Sequence, residues 1–161
     1  MSSGIDREFA VRAYFWKAEI DFNQLNFQSA LDGYLEFKSK INPNSNLLEN
    51  NHLEYNLGYT YFKLKQYGKA ILAFQNYVTK PNRDELLLFD TYLRKADAYF
   101  VSKNYTKAIE WYKKLIQNKD PFSDYATFQM AICYGFSGAT KTKISTLKSV
   151  LTYKTSKYLD D

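Results

Sequence analysis

"EYNLGYTYFKLKQYGKAILAFQNYVTKP", residues 54–81, is dense in aromatic side chains, yet Gly58 and Ala70 stand in it twelve positions apart. Leu57, Gly58, Tyr61 and Leu64 recur at helical spacing, and after Lys65 and Gln66 the set Tyr67, Ala70, Ile71, Phe74, Tyr77 and Val78 does so again. The stretch predicts two helices with one apolar stripe each, joined by a few residues and so folded back as an antiparallel hairpin. Pro81 stops the second helix, because it lacks an amide hydrogen and restricts the residue before it. Where two helices cross closely, one must present a side chain small enough for the other's backbone and rings to approach. A glycine inside a helix costs about 1 kcal/mol against alanine, so Gly58 makes sense only where close packing offsets that loss.

The same spacing recurs along the chain. "YFWKAEIDFNQLNFQSALDGYLEF" (14–37) places Ala18 and Ala30 in these columns, and "YLRKADAYFVSKNYTKAIEWYKKL" (92–115) places Ala96 and Ala108 there. Phe27, Tyr67 and Tyr105 share another column, as do Tyr34, Phe74 and Tyr112, while Pro43, Pro81 and Pro121 close the three units. A fourth copy, "FQMAICYGFSGATKTKISTLKSVL" (128–151), keeps Ala131 and Tyr134 but has Lys143 where the second small residue belongs; Ile144, Leu147, Val150 and Leu151 still share one face. The pattern predicts an all-α chain of about four antiparallel hairpins forming a single array over 1–161, with units at 8–44, 51–84, 89–122 and 124–157 and the start of a further helix at 158–161. The small-residue columns step by 40, 38 and 35, which puts longer joins at Asn42 to Asn51 and Lys80 to Glu85.

This arrangement resembles the tetratricopeptide repeat, a helix-turn-helix unit of about 34 residues. Leu57 and Gly58, Tyr61, Ala70, Phe74 and Pro81 stand at the positions by which that family is recognised. The resemblance covers roughly residues 8–157 and implies an α-solenoid, a right-handed superhelix whose first helices line a concave groove that binds an extended peptide or a partner helix. Carried over residue by residue, the inward positions are Phe15, Glu19 and Phe22; Tyr55, Tyr59, Phe62 and Lys63; Leu93, Arg94, Asp97 and Phe100; and Phe128, Ile132 and Phe136. The clamp with which members of the family grip a terminal carboxylate uses lysine and asparagine in one unit and lysine and arginine two units on. Only Arg94 matches, with Phe15 and Glu19 in the first unit's places, so that mode is rejected. The ending "SKYLDD" resembles the start of a further unit in a longer protein, and joins of this kind resemble those of bacterial cell-envelope members. An uncapped C-terminal end of this sort also implies self-association.

Composition narrows the alternatives. The chain has 161 residues, 45% apolar and 24% charged, a globular balance without the run of about 18 apolar residues that a membrane span needs. The first twenty residues, with Asp6, Arg7, Glu8 and Arg12, lack the apolar centre of a signal peptide. The net charge of +5 arises after residue 100, and the run Lys141, Lys143, Lys148, Lys154 and Lys157 reads as a solvated face, since it has no arginine and only Tyr153 to stack a base. With one cysteine, Cys133, and one histidine, His52, no metal-ligand set or nucleophile–base pair is offered, and no glycine loop cradles a phosphate. Asn104 opens a glycosylation sequon but sits where turn chemistry explains it. The sequence therefore predicts no enzyme and no cofactor, but a module that binds a protein or peptide; a spacer within a longer scaffold is the alternative.

Overall fold

The structure, a computed structural model, describes residues 3–81, 83–117 and 122–151. Pro121 and the expected helix start at 158–161 lie outside these. Among the described residues there are eight helices and no strand: α1 (Ser3–Asn23), α2 (Phe27–Lys40), α3 (Leu48–Lys63), α4 (Tyr67–Thr79), α5 (Glu85–Val101), α6 (Tyr105–Gln117), α7 (Ser123–Phe136) and α8 (Thr140–Val150). They pair in chain order as four hairpins, and α2 also packs on α3, as α6 does on α7. The chain divides into two units, Met1–Asp84 with the first two hairpins and Glu85–Asp161 with the other two.

One turn is built four times. Leu25, Lys65, Lys103 and Gly138 all have left-handed backbones, with φ of 64°, 59°, 60° and 77°. At each, the residue's amide bonds to the carbonyl three before it and the next amide reaches back five, as Leu25 to Phe22 and Asn26 to Asp21, and likewise Gly138 to Gly135 and Ala139 to Tyr134. These bonds satisfy carbonyls that the end of the first helix leaves open. A left-handed conformation costs an ordinary residue about 1–2 kcal/mol, so three of the turns hold strain that Gly138 avoids.

The small residues mark where the helices meet. Ala18, Ala30, Ala70, Ala96, Ala108 and Ala131 are wholly buried, and a Cβ added at Gly58 would run into the Phe74 ring. In the first hairpin the approach is closer still: a Cβ on Gly33 would stand 2.9 Å from that of Ala18 and 3.3 Å from the Tyr14 carbonyl oxygen. The fourth hairpin reverses the arrangement. Lys143 lays its methylenes over Gly135, where a Cβ would come within 3.0 Å of Cδ. Gly135 holds the column that Phe22, Phe62 and Phe100 occupy elsewhere, and those rings rest on the opening ring of the following helix, Phe27 (5.3 Å), Tyr67 (5.4 Å) and Tyr105 (5.8 Å).

Around these crossings each unit has its own core. The first gathers Val11, Phe15, Leu31, Tyr34, Phe37, Leu53 and Leu57; the second gathers Leu93, Trp111, Tyr112, Leu115, Ala126 and Cys133. Each large apolar side chain so buried contributes about 1.5–3 kcal/mol. The join after α2 is shorter than the sequence implied, because α3 already begins at Leu48. Asn50 fixes the join by donating to the carbonyls of Pro43 (3.1 Å) and Ser45 (2.8 Å).

Candidate binding site

Fifteen residues separate Glu19 from Tyr34 and Asp97 from Tyr112, and each tyrosine hydroxyl donates to the carboxylate across its hairpin. Both acids directly follow a buried alanine, Ala18 or Ala96, so the crossing brings the acid and the tyrosine together. The second hairpin puts Tyr59 and Phe74 in these places, and their rings meet edge to face at 5.8 Å. Each carboxylate also reaches the first helix of the next hairpin: Asn56 donates to Glu19, and the Tyr125 hydroxyl lies 3.3 Å from Asp97. Burial raises the Asp97 carboxyl, opposed by hydrogen bonds from Tyr112, Arg94 and Tyr125 and by the charge of Arg94. Burial, and then the neighbouring carboxylate, also push the Tyr112 and Tyr34 hydroxyls far above their ordinary range.

Beside the first of these pairs is a pocket of about 220 Å³, lined by Glu19, Phe22 and Asn23 of α1, Tyr34 of α2, and Tyr55, Asn56 and Tyr59 of α3. The Tyr55 and Tyr59 rings stand 5.0 Å apart and form one wall. Glu19 is the sole charged residue of the lining. Tyr34 and Asn56 both donate to its Oε1, and Oε2 accepts no hydrogen bond among the described residues. The pocket is thus aromatic-walled, with an acceptor left over.

The other inward positions fall in different surroundings. Phe15 is core, packed edge-on to Tyr34 and Phe37 at 5.5 and 5.3 Å, so its ring is not offered to a groove. Leu93 and Asp97 are buried too; Arg94 pairs with Asp97 at 3.2 Å and Asp90 at 3.5 Å. Phe62, Phe100, Phe128 and Ile132 are half-buried, whereas Lys63 and Phe136 are exposed. Phe136 lies flat on Tyr105 at 5.3 Å. Of the pocket residues, Tyr34 was read from the sequence as a repeat-column position and not as part of a site, and Asn23 and Asn56 were not singled out; the acid-to-tyrosine interval in two of the four copies marks the first of them.

Polar contacts behind the pocket hold α3 in place. Glu49 is buried and takes Arg12 at 2.7 Å and the Trp16 indole at 3.0 Å, both from α1. Burial alone would raise its carboxyl, but its backbone hydrogen bond together with Arg12 and Trp16 outweighs that and holds it below the ordinary value. Glu54 pairs with Lys38 of α2 at 2.6 Å and with Asn76 of α4 at 3.1 Å. In the second unit burial pushes the Cys133 thiol up to about 12. Among the described residues no three His, Cys, Asp or Glu side chains could hold a metal ion, and no helix is long and apolar enough to cross a membrane.

Residues 55–79 and 89–120 match the family model of the tetratricopeptide repeat. The fold is similar to the crystal structure of MamA protein, with a TM-score of 0.73 at 20% identity over 91% of this chain and 78% of that one. It is similar too to MamA residues 41 to the end from Desulfovibrio magneticus RS-1 (TM-score 0.72, 15% identity, 89% and 75% covered). A Podosopora anserina protein described as a kinesin light chain with nearly identical TPR-like repeats gives 0.65 at 14% identity, with 89% and 74% covered. No curated protein matches the sequence. Those two stretches match the tetratricopeptide repeat, and the chain has an all-α helical-repeat solenoid fold.

Proposed function

We propose that the chain is a non-catalytic module for protein–protein interaction, and that the pocket beside α1 and α3 seats a lysine or arginine side chain of an extended peptide or partner helix. The observation that carries this reading is the Oε2 of Glu19, which accepts no hydrogen bond among the described residues and faces aromatic walls. A cation over a tyrosine or phenylalanine face gains about 0.5–2 kcal/mol, and a hydrogen bond to a charged group about 1.5–3 kcal/mol. A volume of about 220 Å³ suits one side chain better than a drug-sized ligand, whose sites run to about 300–1,000 Å³. A phosphate would be repelled by Glu19, which favours a protein over a nucleic acid. Catalysis has no support in Cys133, whose thiol stays protonated at neutral pH.

An oriented peptide library tests the proposal. Enrichment of Lys or Arg at one position, lost in Glu19→Gln, supports it. The absence of any selected peptide favours a spacer within a longer scaffold.

A further inference from the structure

Three of the four first helices can be compared for what covers their rear face within a unit. On α3, Glu49, Leu53 and Thr60 are 2%, 2% and 0% exposed, seated against the first hairpin. On α7, Ala126 and Cys133 hold the places of Leu53 and Thr60 and are fully buried in the second unit. The same places on α1, forty residues before those on α3, are Phe9, Ala13 and Ile20. Phe9 is 63% exposed, Ile20 57%, and Ala13 lies open between them.

The last described hairpin carries the matching surface. On α6, Ile109 and Ile116 pack against the core that includes Ala126 and Cys133 of α7. On α2, the equivalent residues are Leu31, buried with Leu53 and Leu57 of α3, and Lys38, paired with Glu54. In the fourth hairpin they are Ile144 of α8, 50% exposed, and Leu151 directly after that helix, 65% exposed. One chain thus presents both halves of a junction that it already makes internally, each apolar and each unfilled among the described residues.

We infer that a second copy of the chain fills them: Ile144 and Leu151 of one molecule stack on Phe9, Ala13 and Ile20 of the next, repeating the packing of α6 on α7. Because the two surfaces differ, the contact is heterologous, and molecules add head to tail.

Sedimentation velocity from micromolar to near-millimolar concentration tests this with Ile20→Glu and Ile144→Glu, both at exposed sites and checked for retained helicity by circular dichroism. The unsubstituted chain gains mass with concentration, and each variant alone stays a monomer. An equimolar mixture of the two variants forms a pair and nothing larger, since one intact junction remains. A chain that stays monomeric throughout, a mixture that does not pair, or an Ile144→Glu variant that associates like the parent would each overturn the inference.

Discussion

The Tyr112 hydroxyl donates to Asp97 Oδ1 at 2.7 Å, and both groups are buried where the third hairpin crosses. Among the described residues, Tyr112→Phe leaves that carboxylate its longer contacts to Arg94 and Tyr125, and is expected to cost about 1–3 kcal/mol in urea unfolding. Made in an Asp97→Asn background, the same change should cost distinctly less. Equal costs in both backgrounds would show that the pair does not act as a unit.

Asp97 also predicts an acid-side effect. Its folded carboxyl is raised, so near and above its ordinary pKa of 3.8 the folded chain binds the more protons, and its contribution to stability falls as pH rises through that window. Unfolding midpoints of Asp97→Asn should lack this component relative to the parent.

Lys95 gives the opposite slope on the basic side. Its ammonium lies 3.8 Å from the Trp111 ring centroid, and that of Lys114 is equally close. Burial, then the charges of Lys114 and Lys107, hold Lys95 down to about 8 from 10.5. Between those values the unfolded chain binds the more protons, so stability should rise with pH. Tyr34 and Tyr112 act in the opposite sense near pH 10, so the measurement is the difference between the parent and Lys95→Met over roughly pH 7.5–9.5. A difference that stays constant across that range would contradict the assignment.

Gly58→Ala drives a methyl into the Phe74 ring and should destabilise by about 1–3 kcal/mol. Phe74→Leu makes room for it, so the double variant should fall short of the sum of its parts. An unchanged thermal midpoint for Gly58→Ala would contradict the packing.

Leu25 is exposed and strained, and Leu25→Gly should stabilise by up to about 1 kcal/mol, the relief of a left-handed backbone less the freedom that glycine adds to the unfolded chain. Gly138→Ala should do the reverse. Both are read from denaturant midpoints.

The hairpins were legible in the sequence because a helix crossing tolerates so few side chains that Ala18, Gly58, Ala96 and Ala131 recur whatever surrounds them. The fourth unit was harder to read, since Lys143 replaces its small residue and the compensating Gly135 lies in a different column. Within the candidate site, the family resemblance marked a face of each first helix but not how deeply it sinks. Phe15 and Tyr55 occupy one column, yet Phe15, without a polar atom, packs into the core, while Tyr55 stands at the pocket. The role of Glu19 was hidden for a different reason. Its partners are Tyr34 and Asn56, on two other helices, and only the folded crossing brings the three together.

Whether Glu19 reads a basic side chain is decided by calorimetric titration of a library-selected peptide, with the basic residue either kept as lysine or replaced by uncharged norleucine, against the parent and Glu19→Gln. A coupling of about 1.5–3 kcal/mol between the peptide charge and Glu19 is expected. Independent effects, with the lysine worth the same in both proteins, would contradict it.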